Sequence, residues 1–439
     1  MKKFIQTIKN IYKIEELRKR IVYTFLLILV YRLGSFIVLP GIDPSVIAEF
    51  SASMSNRTDA LSLLNMFSGG AFGNVSIFAL GVMPYISASI VVQLLGVFVG
   101  KFRKMQAEES GRRKLNQITR LLTIVILCIQ GPAYISNIMH QYPNAFLVSS
   151  KLYILAATVI LLGGSMFVMW LGERITERGI GNGISLIIMI GIIARLPQAF
   201  MAEVLSKAGS TTGGILLLIV EFVILFFVFI AAIALVQAVR KVPVQYANRV
   251  IGNKQYGGVR QYIPLKLNAS GVMPIIFAQA IMLFPIIFSR FDATRGFAAA
   301  MSNYTGLWYN LVFGFLVIVF TYFYTAVTFQ PNMMAEDMKK NGGFIPGVKP
   351  GKKTMEYLDT IMTRIVLPGS IFLAIIAVLP AIATLCGVNN QFASFYGGTS
   401  LLILVGVVLD TLQQVESHLL MRHYDGLMKT GRLTGRSGM

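Results

Sequence analysis

The residues able to do chemistry are few and far apart. At mid-membrane depth in the long apolar runs, the ionisable side chains that qualify are Arg32, Glu221, Asp410 and Glu416. Charge at membrane depth is costly, so such residues mark transport pathways, proton relays or buried pairs. These four form no relay visible in the sequence. Arg32 stands near the outer third of its run, Glu221 a third of the way into another, and Asp410 precedes Gln413 and Gln414. Structural pairing is the preferred reading over transport chemistry. Cys128 and Cys386 lack C-x-x-C spacing, and His140, His418 and His423 are scattered, so neither a disulfide framework nor a metal site is expected. H-E-x-x-H, G-x-S-x-G and P-loop signatures do not occur. Gly179-Ile180-Gly181-Asn182-Gly183 superficially suggests a phosphate loop, but no strand precedes it, which favours a tight turn. The expectation is a chain with no catalytic residues and no cofactor.

The elements around these residues are membrane spans. The chain has 439 residues, 55% of them apolar and only 13% charged, yet its net charge is +20. A soluble surface needs more charge, a disordered chain has fewer Leu, Ile, Val and Phe, and a nucleic-acid binder is less apolar. A helix crossing a bilayer needs about 20 apolar residues. Ten runs qualify: Ile21–Leu39, Ser76–Val99, Ile118–Ile135, Leu152–Leu171, Ile184–Phe200, Gly214–Val239, Val272–Phe288, Trp308–Phe329, Ile365–Leu385 and Ser400–Leu420. The first follows basic residues as a signal peptide would, but it is long, and Val38-Leu39-Pro40-Gly41 offers no cleavage site, so it is expected to stay as an anchor.

An even count puts both termini on one side. Nearly all Lys and Arg then fall on that side, while the opposite connections hold only Arg57, Lys151, Arg195, Lys207, Arg290 and Arg295. By the positive-inside rule the termini are cytoplasmic. The expected organisation is a cytoplasmic segment 1–20, an N-terminal half 21–200, a C-terminal half 201–420 and a cytoplasmic tail 421–439. Two inner connections, 240–266 and 330–364, are long, basic and rich in Gly and Pro, and read as structured hairpins projecting into the cytoplasm.

The stretch before the second span has helical apolar spacing over Leu61–Phe67 and then Ser68-Gly69-Gly70, but is too short to cross. It is either a re-entrant element buried by protein or an interfacial helix. Pro84, within the second run, removes a helical hydrogen bond, and Pro274 in the seventh does the same, so both helices are expected to be malleable.

Two longer segments carry a family resemblance: Leu80–Leu95 (LGVMPYISASIVVQLL) and Gly163–Ile188 (GGSMFVMWLGERITERGIGNGISLII). Phe67-Ser68-Gly69-Gly70, Gly342-Gly343-Phe344-Ile345-Pro346-Gly347 and Tyr396–Ile403 extend it, in order, from about Ile14 to Met428. The chain resembles the SecY family of protein-conducting channels.

That resemblance implies an all-α integral membrane protein of ten helices, in two five-helix halves arranged as a clamshell and related as an inverted repeat, with a short re-entrant plug. It implies a pore ring at Val82, Ile86, Ile184, Ile188, Ile276 and Ile403. Such aliphatic residues offer a permeating ion no ligand and yield to a passing chain. Val82 stands where the family has a larger isoleucine. The plug covers 61–72, with Leu61, Leu64, Asn65, Met66, Phe67, Ser68, Gly69 and Gly70; this decides for the re-entrant alternative. A lateral gate includes Pro84, Ile90, Gln93, Asn268 and Pro274, although Asn268 also reads as a helix N-cap. The implied docking residues for the SecA motor ATPase or the ribosome are Arg240, Lys241, Arg249, Lys254 and Arg260 on one hairpin and Lys339, Lys340, Lys349, Lys352 and Lys353 on the other. Lys349 replaces the family's usual Arg, keeping the charge without the planar fork. Further implied partners are SecE and SecG subunits, signal sequences, nascent polypeptides and membrane lipids, and the family admits a dimer. The rival class is a secondary transporter of a small solute, built on half-helices around a polar site.

Overall fold

The computed structural model describes residues 14–56, 65–147, 151–208, 214–246, 249–251, 254–256, 260–282, 301 and 305–430. In chain order these form α1 Glu15–Gly34, α2 Pro44–Asn56, α3 Met83–Phe98, α4 Gly100–Ala107, α5 Glu109–Gln141, α6 Lys151–Arg178, α7 Gly183–Ala208 and α8 Gly214–Gln237. Strands β1 Val239–Tyr246, β2 Arg249–Ile251, β3 Lys254–Tyr256 and β4 Arg260–Lys266 follow, then α9 Met273–Met282, α10 Leu307–Thr328, α11 Pro331–Lys340, β5 Gly343–Phe344, α12 Lys352–Leu385, α13 Asn390–Ala393 and α14 Gly398–Thr430.

Each expected span falls on a helix. Seven described helices are long and apolar enough to cross a membrane; Met83–Gly96 and Met273–Met282 are apolar but shorter, and α1 has twenty residues. The far end of the seventh run, 283–288, lies outside the described residues. Outward faces remain greasy: Ile215, Leu216, Phe226 and Phe227 on α8 are all exposed, as lipid contact requires. Cys128 and Cys386 are exposed as well.

Three expectations are corrected. The second span is helical only from Met83, because Gly81 takes a left-handed φ of 51° and Val75 one of 45°, so residues 68–82 run as successive turns. Pro84 and Pro274 do not interrupt helices: each is the second residue of its helix, where an N–H has no intrahelical acceptor to lose. The fifth span, α7, does not end at Phe200; it continues through Pro197 to Ala208 and takes up most of the expected outer loop.

The two inner connections are structured, but not as two separate hairpins. β1 pairs antiparallel with β4 over Val239–Gln245, Val239 facing Lys266, and with β5 through Gln245–Phe344 and Tyr246–Gly343. The second connection is a helix–strand–helix unit whose short strand joins the first connection's sheet, in the order β4-β1-β5. Val242 and Val244 point inward from β1 and pack with Leu265, Met338, Ile345, Leu358 and Met362. Pro243 and Pro264 are tolerated because the sheet is narrow: β5 reaches only the end of β1, and β4 is an edge.

The described residues divide into two compact units. One draws on 14–55, 65–195 and 407–430, the other on Asn56 and 196–406, with boundaries inside α7 and α14.

Candidate functional site: a clamped segment and four glycine-opened helices

In the first unit, Phe72, Val75 and Ala79 of the segment 65–82 pack in one core with Leu39, Ile47, Phe50, Tyr134 and Ile138. Leu61 and Leu64 lie outside the described residues. Asn65, Met66, Phe67, Ser68, Gly69 and Gly70 are all buried. Within the segment, Asn65 Oδ1 accepts from Gly73 N at 2.8 Å, and Ser68 Oγ accepts from Phe72 N at 3.0 Å. Three side chains reach in from outside it. Tyr31 Oη donates to Ser68 O at 3.2 Å, Arg32 Nη1 to Gly69 O at 2.9 Å, and Tyr134 Oη to Phe72 O at 2.6 Å. Arg32, the cation of the first span, is thus held by a backbone carbonyl, with Phe36 stacked 5.1 Å beneath its guanidinium.

The segment also touches α7 through backbone. A Cβ at Gly191 would lie 2.9 Å from Phe67 O, and one at Gly69 would lie 2.7 Å from Gly191 Cα and 2.8 Å from Arg32 Nη1. Glycine at both positions is what lets the chain pass between α1 and α7. One helical turn beyond Gly191, the Arg195 guanidinium lies over Gly70.

The six aliphatic positions share a local architecture. Left-handed glycines, Gly81, Gly181, Gly271 and Gly398, stand immediately before or at the start of α3, α7, α9 and α14. In three of the four helices an isoleucine follows its glycine by five residues: Ile86, Ile276 and Ile403. Ile184 and Ile188 occupy the first two turns of α7, and Val82 is the N-cap of α3. Val82, Ile188 and Ile403 are buried; Ile86, Ile184 and Ile276 are half-buried. Val82, Ile86, Ile184 and Ile188 belong to the first unit, and Ile276 and Ile403 to the second. There, Gln279 Nε2 donates to Thr399 Oγ1 at 3.2 Å and ties α9 to the start of α14. Sequence reading missed the glycine-to-isoleucine spacing, although Gly81, Gly271 and Gly398 are all visible in the apolar runs.

The turn 179–183 is a helix start and not a phosphate cradle. Most of its N–H groups are already taken: Ile180 N donates to Thr24 Oγ1, Gly181 N to Gln414 Oε1 and Gly183 N to Thr176 Oγ1, at 3.1, 2.8 and 2.9 Å.

Among the gate positions, Pro84, Ile90, Asn268 and Pro274 are buried. Gln93 Nε2 donates to Ser89 Oγ at 3.2 Å on α3. Asn268 lies five residues before α9, too far to cap it, and its Oδ1 accepts from Ser270 Oγ at 3.2 Å. Arg240, Lys241, Lys339, Lys340, Lys349, Lys352 and Lys353 are all exposed around the joined sheet. Arg249, Lys254 and Arg260 lie in β2, β3 and β4. The Lys353 ammonium, 2.8 Å from Glu356, holds that carboxyl below its usual range, so its charge is partly spent locally. Asp410 and Glu416 are exposed on α14.

The SecY family model matches residues 76–412, well over half of the chain. The chain belongs to the SecY family. Among its relatives, the protein translocase subunit SecY of Chlamydia trachomatis serovar D is 39% identical, over 98% of this chain and 99% of that one. That of Thermus thermophilus is 41% identical, over 97% and 98%. Among solved structures, "The structure of a protein conducting channel" superposes with a TM-score of 0.59 at 16% identity, covering 95% of both chains. Sec61 in a canine ribosome-channel complex gives 0.57 at 15%, again covering 95% of both. At such identities the likeness is one of fold. Family and helices together make this SecY-family chain a multi-pass membrane protein.

Proposed function

We infer that this chain is the channel subunit of a protein translocase. It passes unfolded polypeptides across the cytoplasmic membrane and releases apolar segments sideways into lipid. The observation that carries this reading is the kinship, near 40% identity from end to end, with chains named protein translocase subunit SecY. In this reading Val82, Ile86, Ile184, Ile188, Ile276 and Ile403 line the constriction. Placing each near a helix start suits that role, since a helix opened by a left-handed glycine can shift without breaking a ladder of hydrogen bonds. Residues 61–72 are the plug; a solved neighbour is described as one whose plug domain stabilises the closed channel and maintains a membrane seal. α3 and α9 part as the lateral gate.

Both termini face the cytoplasm, and the sheet with α11 is the dock. Its exposed Lys and Arg side chains suit ribosomal RNA phosphates or an acidic motor surface. The chain catalyses no reaction itself; SecA or the ribosome supplies the work, and SecE and SecG complete the assembly. The test is reconstitution of the full-length chain with SecE, SecG and SecA in lipid vesicles. ATP-dependent protection of a secretory precursor from added protease is expected. Protection no greater than in vesicles lacking the chain would refute the reading.

A further inference from the structure

We propose that Tyr31 and Arg32 are positioning residues that latch the plug shut from its C-terminal end; the proposal rests on reading 61–72 as the plug. The two are adjacent on α1 and donate to adjacent carbonyls, Ser68 O at 3.2 Å and Gly69 O at 2.9 Å. Tyr31 is 1% exposed, and its ring stacks on Phe78 at 6.2 Å, so its hydroxyl is aimed by packing. Arg32's bond is charge-assisted, in a place where the carbonyl has little water to turn to. On the far side, the backbone of 67–69 rests against Gly191. The segment is gripped between a donor pair on α1 and a glycine on α7.

The same geometry makes the grip releasable. Arg195 extends over Gly70 beside Arg32, and its buried Nε–H has no hydrogen-bond partner. Two guanidiniums thus flank Gly69–Gly70, and neither makes an ion pair with a carboxylate among the described residues. Their mutual repulsion is relieved once the segment leaves and water enters. The latch is therefore one-sided: carbonyl acceptors hold the plug in, and like charge favours letting it go. Tyr134, bonded to Phe72 O from α5, marks where the moving part ends and the fixed part begins.

The test measures resting K⁺ current through the full-length chain in planar bilayers, together with export of a precursor bearing a defective signal. Deleting 65–70 is the reference. Arg32→Ala is expected to raise the resting current about tenfold, the shift in closure equilibrium from losing one charge-assisted hydrogen bond, and to admit the defective precursor. Tyr31→Phe, which keeps the stacked ring, gives a smaller rise in both, and Arg32→Lys restores most of the seal. The Phe and Lys variants decide the matter if Arg32→Ala fails to accumulate. If the deletion leaks and these variants stay tight, the latch is wrong and the plug stands. If the deletion itself stays tight, the plug reading falls and the latch falls with it.

Discussion

Lys207 Nζ lies 2.9 Å from Glu221 Oε1 and 3.7 Å from Glu203 Oε1, joining the C-terminal end of α7 to α8. The same ammonium donates to Gly387 O at 2.9 Å, and Glu203 Oε2 accepts from Asn389 N at 2.8 Å. Tyr396 Oη closes the group by donating to Glu221 O at 2.8 Å. The cluster pins the connection between α12 and α14, so the intramembrane acid Glu221 has a structural task.

Lys207→Met should therefore destabilise the chain strongly. Glu203 is 1% exposed and Glu221 5%, and the change strands both carboxylates. A loss of about 3 kcal/mol or more is expected when one partner of a buried pair is removed. Adding Glu221→Gln should recover much of it, because one uncompensated charge disappears. Thermal unfolding of the purified chain distinguishes the two; equal stability of single and double variants would contradict the account.

Gly191→Ala is a small change with a specific expected consequence. Its Cβ would stand 2.9 Å from Phe67 O and 3.2 Å from Gly69 N, so the 67–69 backbone must retreat from α7. Overpacking of this kind costs about 1–3 kcal/mol. The expected result is a higher resting current with normal abundance in the membrane, because the displaced element is the proposed seal and not the helix. An unaltered current would mean that the segment takes no part in closure.

The spans were legible because the length of an apolar run survives any detail of packing. The start of α3 was not, since Ser76–Val82 is as apolar as the helix after it, and only φ at Gly81 separates them. Pro84 misled for the same reason: its effect depends on where the helix begins. The joining of β5 to β1 rests on two residue pairs about a hundred positions apart, too short to carry an alternating pattern. Arg32's role was hidden because its partner is a backbone carbonyl, which no residue type announces.

Reversing Lys349 tests the dock. Lys349 is exposed in the turn between β5 and α12, and its own carbonyl is fixed by Thr354 Oγ1 at 3.0 Å, so the backbone there is well supported. Lys349→Glu is expected to reduce motor-driven export roughly tenfold through like-charge repulsion, with unchanged abundance. Lys353→Ala should do less, since Glu356 already partners that charge. Normal export by the Lys349→Glu chain would remove this face from the docking site.

Ile403→Asn tests one collar position. The side chain is 6% exposed in the second turn of α14, where an amide finds water only if a channel supplies it. Ion leakage and acceptance of defective signals are expected, while a transporter would instead lose affinity for its solute. A chain that neither leaks nor relaxes selection would exclude Ile403 from the constriction.

The most direct measurement is crosslinking of a stalled secretory chain to single cysteines, with Cys128 and Cys386 replaced by serine. The account predicts adducts at Ile86→Cys and at Ile276→Cys, one in each compact unit, and none at Leu216→Cys on the exposed face of α8. Adducts at Leu216→Cys alone, or at neither collar position, would contradict a path lined by these residues.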